Sequence, residues 1–84
     1  MKVEMSAVVL DSSNIRFIEY ISTKDVKLRK DDKGMLRVEF VNGSTYLYDD
    51  VPFQIAVDLL YAESVGQKFN TTIRSSNYSY KKEK

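Results

Sequence analysis

A β-hairpin between Leu36 and Tyr48 is the feature of this sequence that most constrains its fold. Leu36, Val38 and Phe40 alternate with charged residues, which is the period-two pattern of a half-buried strand. The Asn42-Gly43 pair that follows tolerates the positive φ angles of a tight turn. The returning strand carries two tyrosines. The sequence therefore predicts a hairpin with an aromatic second strand.

The length of the hairpin turn decides which face of the sheet Tyr46 and Tyr48 occupy. With a two-residue turn, both tyrosines share the outer face with Arg37 and form a surface for stacking. With a three-residue turn in which Gly43 is left-handed, Val38 faces Tyr46 and both tyrosines point into the core. A shift of one residue thus exchanges a binding surface for core packing. The sequence leaves both registers open.

The other segments predict further strands and two helices. Alternating apolar residues predict strands over Val3–Leu10 and Ile15–Ser22, and the segment 26–29 is expected to extend the second strand. A helix is predicted to begin at Pro52, with Asp49-Asp50 before it complementing the helix dipole.

A second, short helix is predicted after Ser64, whose side chain is a suitable cap. We therefore expect an α+β fold: a small antiparallel β-meander of three to four strands packed on one main α-helix, plus the short second helix. The expected organisation is a single domain over 1–84, with a core at 12–75 and a basic tail at 76–84.

The composition excludes several classes of site. The 84 residues include no cysteine and no histidine, which rules out disulfides, thiol nucleophiles, Cys/His zinc sites and Ser-His pairs. The acidic pairs Asp31-Asp32 and Asp49-Asp50 are better explained as turn and helix-start charges than as catalytic dyads. We therefore expect no enzyme activity, no metal site and no cofactor.

The charge distribution and hydropathy point to a cytoplasmic protein with a basic end. The net charge is +1, but basic residues outnumber acidic ones after Ser64. No segment has the pattern of a signal peptide or a membrane span, and the lack of cysteine suits the cytoplasm.

The C-terminal Tyr78 and Tyr80 repeat the spacing of the hairpin tyrosines and are followed by lysines. This segment is expected to be either an edge strand or a tail. Tyrosines beside lysines could stack on bases and hold phosphates, as in sequence-tolerant single-strand binders, or could anchor the terminus on the core.

An ordered series of short matches resembles the KTSC domain. The series consists of Ser12-Ser13-Asn14-Ile15, Ile18-x-Tyr20, Leu36-x-Val38-x-Phe40, Gly43, Tyr46-x-Tyr48, Val51-Pro52, Leu60, Ala62, Ser64-x-Gly66, Phe69-Asn70 and Ile73-Arg74. The resemblance covers about residues 12–75, and the connection between Tyr20 and Leu36 is longer than is usual in the family.

The resemblance implies a small domain found at the C-terminus of some lysyl-tRNA synthetases and in stand-alone bacterial and phage proteins. The family has no established activity, and its association with synthetases has suggested RNA binding. Carried onto this sequence, that suggestion implies roles for Tyr46, Tyr48 and Arg74.

The sequence thus predicts a small non-catalytic module that binds RNA or another nucleotide-bearing ligand through tyrosine stacking and basic contacts to phosphate. The expected ligand-binding residues are Tyr46, Tyr48, Arg37, Arg74, Lys68, Tyr78 and Tyr80. The alternative is a small phage-type protein that inhibits a host factor by protein–protein contact or sequesters a nucleotide signal. A homo-oligomer formed through the first strand is a related expectation.

Overall fold

The computed structural model describes residues 2–10, 12–23 and 27–84. Within them, five strands form one antiparallel sheet, in which every strand pairs with its neighbours in chain order. The strands are β1 (Lys2–Val8), β2 (Ile15–Ser22), β3 (Lys33–Phe40), β4 (Thr45–Pro52) and β5 (Tyr80–Lys82). The helices α1 (Phe53–Leu60) and α2 (Val65–Phe69) follow β4, and α2 continues into a π-helical segment, Asn70–Arg74.

The predicted α+β class is confirmed, whereas the predicted count of three to four strands is wrong, since five strands form in the described residues. The fifth strand comes from the C-terminal segment. The Glu83 N–H donates to the Thr45 carbonyl at 2.7 Å, and the Asp49 N–H donates to the Ser79 carbonyl at 2.8 Å. These bonds turn the predicted basic tail into an edge strand beside β4.

The hairpin adopts the three-residue turn. Val38 lies opposite Tyr46, and Leu36 lies opposite Tyr48. Gly43 has a φ of 91°, and its N–H donates to the Phe40 carbonyl at 2.9 Å. This register turns Tyr46 and Tyr48 toward the inner face of the sheet, the face that carries the core.

The acidic pair before α1 does not serve the helix start. Asp49 and Asp50 lie within β4, and the first turn of α1 contains no acidic residue. Asp50 has a φ of 58°, in the left-handed region, which aspartate tolerates better than most residues. In a regular strand, residues three apart point to opposite faces, yet Tyr48 and Val51 are both buried. The irregularity at Asp50 therefore turns Val51 back to the inner face of the sheet.

Backbone carbonyls of the β2–β3 connection cap α1. The Phe53 N–H donates to the Asp32 carbonyl at 2.7 Å, and the Gln54 N–H donates to the Lys30 carbonyl at 2.9 Å. Two free donors of the first turn are therefore satisfied without a capping side chain. At α2 the prediction is confirmed, because the Ser64 hydroxyl accepts the Gln67 N–H.

The core joins the inner face of the sheet to both helices. Tyr20, Leu36 and Val38 are fully buried there. They form one cluster with residues of the two helices: Ala56, Leu59, Val65 and Phe69. The opposite, outer face carries an ionic network in which Arg37 pairs with Glu19 and Glu83.

The remaining predictions concern segment ends and the membrane. The strand over Ile15–Ser22 is confirmed, and the first strand ends at Val8 instead of Leu10. Of the segment 26–29, residue 26 lies outside the described residues and 27–29 are not in a strand. In the part of the chain that is described, no helix has the length and apolar character needed to cross a membrane.

Candidate binding groove

An open cavity of about 780 Å³ lies beside the β3–β4 hairpin, between the loop at Ser13-Asn14 and the C-terminal segment. This volume is within the range of about 300–1,000 Å³ that is typical of small-molecule sites. We call this cavity the aromatic groove because of its rings. These are Phe40, Tyr46, Tyr48, Tyr78 and Tyr80.

The rings of the aromatic groove support one another. The Tyr80 ring stacks on Tyr46 with the centroids 5.7 Å apart and the planes 28° apart. It also lies 5.3 Å from the Tyr48 ring, which in turn packs edge-on against Phe69 at 5.8 Å. Tyr48 is only 7% exposed, whereas Tyr80 is 60% exposed. Tyr48 therefore forms the floor of the groove, and Tyr80 offers an aromatic surface to solvent.

The polar lining of the groove includes one cation. Arg74, at the end of the π-helical segment, is exposed and lines the cavity. Hydroxyl and amide side chains complete the lining: Ser13, Asn14, Asn42, Ser44 and Ser76. Among the described residues, no carboxylate lines the cavity and none forms an ion pair with Arg74. The described lining of the groove therefore carries a positive charge and no negative one.

The charge of Arg74 acts on the phenol of Tyr48. Burial raises the pKa of the Tyr48 phenol, and the positive charge of Arg74 opposes that rise. The phenol is therefore neutral at physiological pH. It can donate or accept a hydrogen bond without placing a negative charge in the groove.

A second cavity of about 280 Å³ adjoins the aromatic groove. We call it the side lobe. The two cavities share the residues Ser13, Asn14, Phe40 and Arg74. The far wall of the side lobe includes Ser64, Gly66, Gln67 and Asn70. Phe40 and Arg74 thus stand at the boundary between the two spaces.

The structure brings together five of the seven residues that were predicted to bind ligand. Tyr46, Tyr48, Tyr78, Tyr80 and Arg74 all line the aromatic groove. Arg37 lies on the outer face of the sheet, where it is engaged by Glu19 and by Glu83 at 2.9 Å. Lys68 lies on α2 and lines neither cavity.

Sequence reasoning missed the contributions of Phe40 and the Ser13-Asn14 loop. Alternation in β3 placed Phe40 on the apolar face of a half-buried strand. Phe40 is half-buried, and its ring packs edge-on with that of Tyr46, with the centroids 5.6 Å apart. In this loop the Ser12 hydroxyl accepts the N–H groups of Asn14 and Ile15, which forms a turn. The tightness of that turn holds Asn14 at the groove. No sequence signal pairs this loop with the C-terminal tyrosines.

The described residues contain no cluster of three or more potential metal ligands of the His, Cys, Asp or Glu type. The lining of the aromatic groove offers rings, hydroxyls, amides and one guanidinium.

Comparison with known proteins gives two matches. The sequence matches the KTSC domain over residues 11–78. It is also 33% identical over 76 residues to an uncharacterized protein of Stutzerimonas stutzeri (strain A1501), and the match covers 90% of this chain and 94% of that protein. The family match includes the hairpin, both helices and Arg74, and it ends at Tyr78, just before β5. The chain belongs to the KTSC domain family.

Proposed function

We propose that this protein is a non-catalytic binding module that holds RNA or another nucleotide-bearing ligand in the aromatic groove. The observation that carries the proposal is the combination of the exposed Tyr80 ring with Arg74 in a cavity that no described carboxylate lines. The ring offers a face to a base and the guanidinium offers donors to a phosphate.

Stacking and charge would share the binding energy. A base stacked on an aromatic side chain contributes about 1–3 kcal/mol. A guanidinium presents donors in a fork that matches a phosphate group, so Arg74 would fix the position of the backbone relative to the stacked base. The neighbouring hydroxyls and amides, such as Asn42 and Ser44, would supply further hydrogen bonds to the sugar or the base edge.

The lining of the groove supports binding without catalysis. General acid–base catalysis is most often carried out by histidine or a carboxylate with a tuned pKa. The chain has no histidine, and the described lining contains no carboxylate. Tyrosines and Arg74 remain, and these residue types recognise and position a ligand.

The clearest test replaces Tyr80, because Tyr48 is a core residue whose loss would disturb the fold. We expect Tyr80→Ala to weaken binding of a fluorescently labelled single-stranded A6 RNA by roughly 5- to 150-fold, the equivalent of one stacked base. Fluorescence anisotropy measures the affinity, and circular dichroism reports whether the thermal midpoint is kept.

Tyr61→Ala is the matched control. Tyr61 is 81% exposed and lies at the end of α1, and it lines neither cavity. We expect this variant to bind the RNA as the wild type does. Equal affinities of the Tyr80 and Tyr61 variants would show that the aromatic groove is not the binding site.

A further inference from the structure

We infer that the site recognises a dinucleotide unit, with one base in the aromatic groove, the other in the side lobe and the bridging phosphodiester at Arg74. This inference rests on the proposed function and adds the size and arrangement of its ligand. The geometry that supports it is the shared boundary between the two cavities at Phe40 and Arg74.

The two cavities differ in size and in lining. The aromatic groove, of about 780 Å³, has room for a base and its sugar beside the tyrosines. The side lobe, of about 280 Å³, is lined by Phe69, Gln67, Asn70 and the hydroxyls of Ser12 and Ser64. Amides pair with the hydrogen-bonding edges of bases, so this lobe suits one further base.

The position of Arg74 suits a linking phosphate. It lines both cavities, so a phosphate beside it has open space on two sides. Phe40 is the aromatic residue at this boundary. Its ring packs edge-on against Tyr46 at 5.6 Å and against Phe69 at 6.0 Å. A ligand that extends from one cavity into the other would therefore pass the Phe40 ring beside the Arg74 guanidinium.

The absence of acidic residues extends across both cavities. Among the described residues, neither lining includes an aspartate or a glutamate. This leaves a continuous path along which a phosphodiester meets no carboxylate of the described lining. The two volumes, about 780 and 280 Å³, match one nucleotide unit in each cavity.

The test compares three ligands on the wild-type protein by isothermal titration calorimetry: AMP, the dinucleotide ApA and single-stranded A6 RNA. We expect ApA to bind at least about tenfold tighter than AMP, because its second base occupies the side lobe. AMP carries the greater phosphate charge, so charge alone would favour AMP. We expect A6 to bind within about tenfold of ApA, a margin that allows for its several overlapping dinucleotide steps.

A charge placed in the side lobe distinguishes the contributions of the two cavities to ligand binding. Gln67→Glu introduces a carboxylate there. Glutamate suits the position three residues after the Ser64 cap as well as glutamine does. We expect it to weaken ApA about tenfold and AMP less than about twofold. Gln54→Glu, on the exposed face of α1 and outside both cavities, is the matched control and should affect neither ligand.

The outcomes distinguish this inference from the proposed function. Equal affinity for AMP and ApA, or equal effects of the two glutamate variants, would overturn the dinucleotide assignment and leave the groove as a nucleotide site. A preference for A6 over ApA well beyond about tenfold would overturn the two-unit limit. Failure of all three ligands to bind would overturn the proposed function itself.

Discussion

At the scale of single residues, Tyr20 links three parts of the core. Its ring is fully buried, and its hydroxyl donates to the Val51 carbonyl at 2.7 Å. Gly34 makes room for it, since a Cβ on Gly34 would lie 2.7 Å from the Tyr20 hydroxyl oxygen and 2.6 Å from the Ile21 carbonyl oxygen. The tyrosine, the glycine and the end of β4 are therefore mutually dependent.

We expect Tyr20→Phe to lower the free energy of unfolding at pH 7 by about 1–3 kcal/mol, because the buried Val51 carbonyl loses this donor. Urea denaturation followed by circular dichroism measures the change. Tyr61→Phe is the control, since this side chain is 81% exposed, and it should unfold as the wild type does. A Tyr20→Phe variant as stable as the wild type would mean that the hydrogen bond contributes nothing net.

The ionisation of Tyr20 makes the free energy of unfolding depend on pH in alkaline solution. Burial, helped by the charges of Asp32 and Glu4, raises the pKa of Tyr20 from 10.0 to about 12. Between these values the folded state keeps a proton that the unfolded chain releases, so the free energy of unfolding falls as the pH rises. The stability difference between wild type and Tyr20→Phe should therefore narrow from pH 10 upward, as measured by urea denaturation at each pH. A constant difference would contradict this assignment.

At the scale of secondary structure elements, β5 contributes a ring to the aromatic groove but no buried residue to the core. The strand is exposed along its length, yet it carries Tyr80 onto Tyr46 and Tyr48. It is held by backbone bonds to β4 and by the ion pair of Glu83 with Arg37. Strand-edge bonds and a partly exposed ion pair add little to global stability.

We expect a chain that ends at Ser79 to remain folded but to bind A6 RNA at least about fivefold more weakly, since one stacking surface is lost. Circular dichroism should show the wild-type sheet signal, and the thermal midpoint should fall by no more than about 10 °C, which corresponds to roughly 1–2 kcal/mol in a domain of this size. Collapse of the sheet signal in this variant would show that β5 is part of the folding core.

The elements also show what sequence patterns can and cannot predict. Alternation correctly predicted β2 and β3, and Ser64 correctly marked the start of α2, because these features depend on local chemistry. The groove depends on the contact of Tyr80 with Tyr46, which are far apart in the chain, and no local pattern specifies it. The Asp49-Asp50 pair was misinterpreted because acids before Pro52 resemble a helix start, whereas the left-handed Asp50 belongs to an irregular strand.

At the scale of the whole molecule, the fold is compact and almost neutral. The radius of gyration is 11.8 Å, close to the value of about 12 Å expected for a compact chain of this length. The net charge is only +1, so the protein as a whole attracts an anionic ligand weakly. Any strong dependence of binding on salt must therefore come from charges at the site itself.

We expect RNA affinity to depend only weakly on salt concentration, and we expect this dependence to come from Arg74. One phosphate contact to a single strand gives a slope of about −0.7 in a plot of log affinity against log salt concentration. We expect Arg74→Gln to bring the slope for A6 RNA close to zero, as measured by fluorescence anisotropy across a series of salt concentrations.

Lys68→Gln is the matched control: Lys68 lies outside both cavities, and its substitution lowers the formal net charge from +1 to 0, as Arg74→Gln does. It should keep the wild-type slope, because the contact and not the total charge sets the dependence. Equal slopes in the two variants would place the phosphate away from Arg74 and would leave overall charge as the source of the effect.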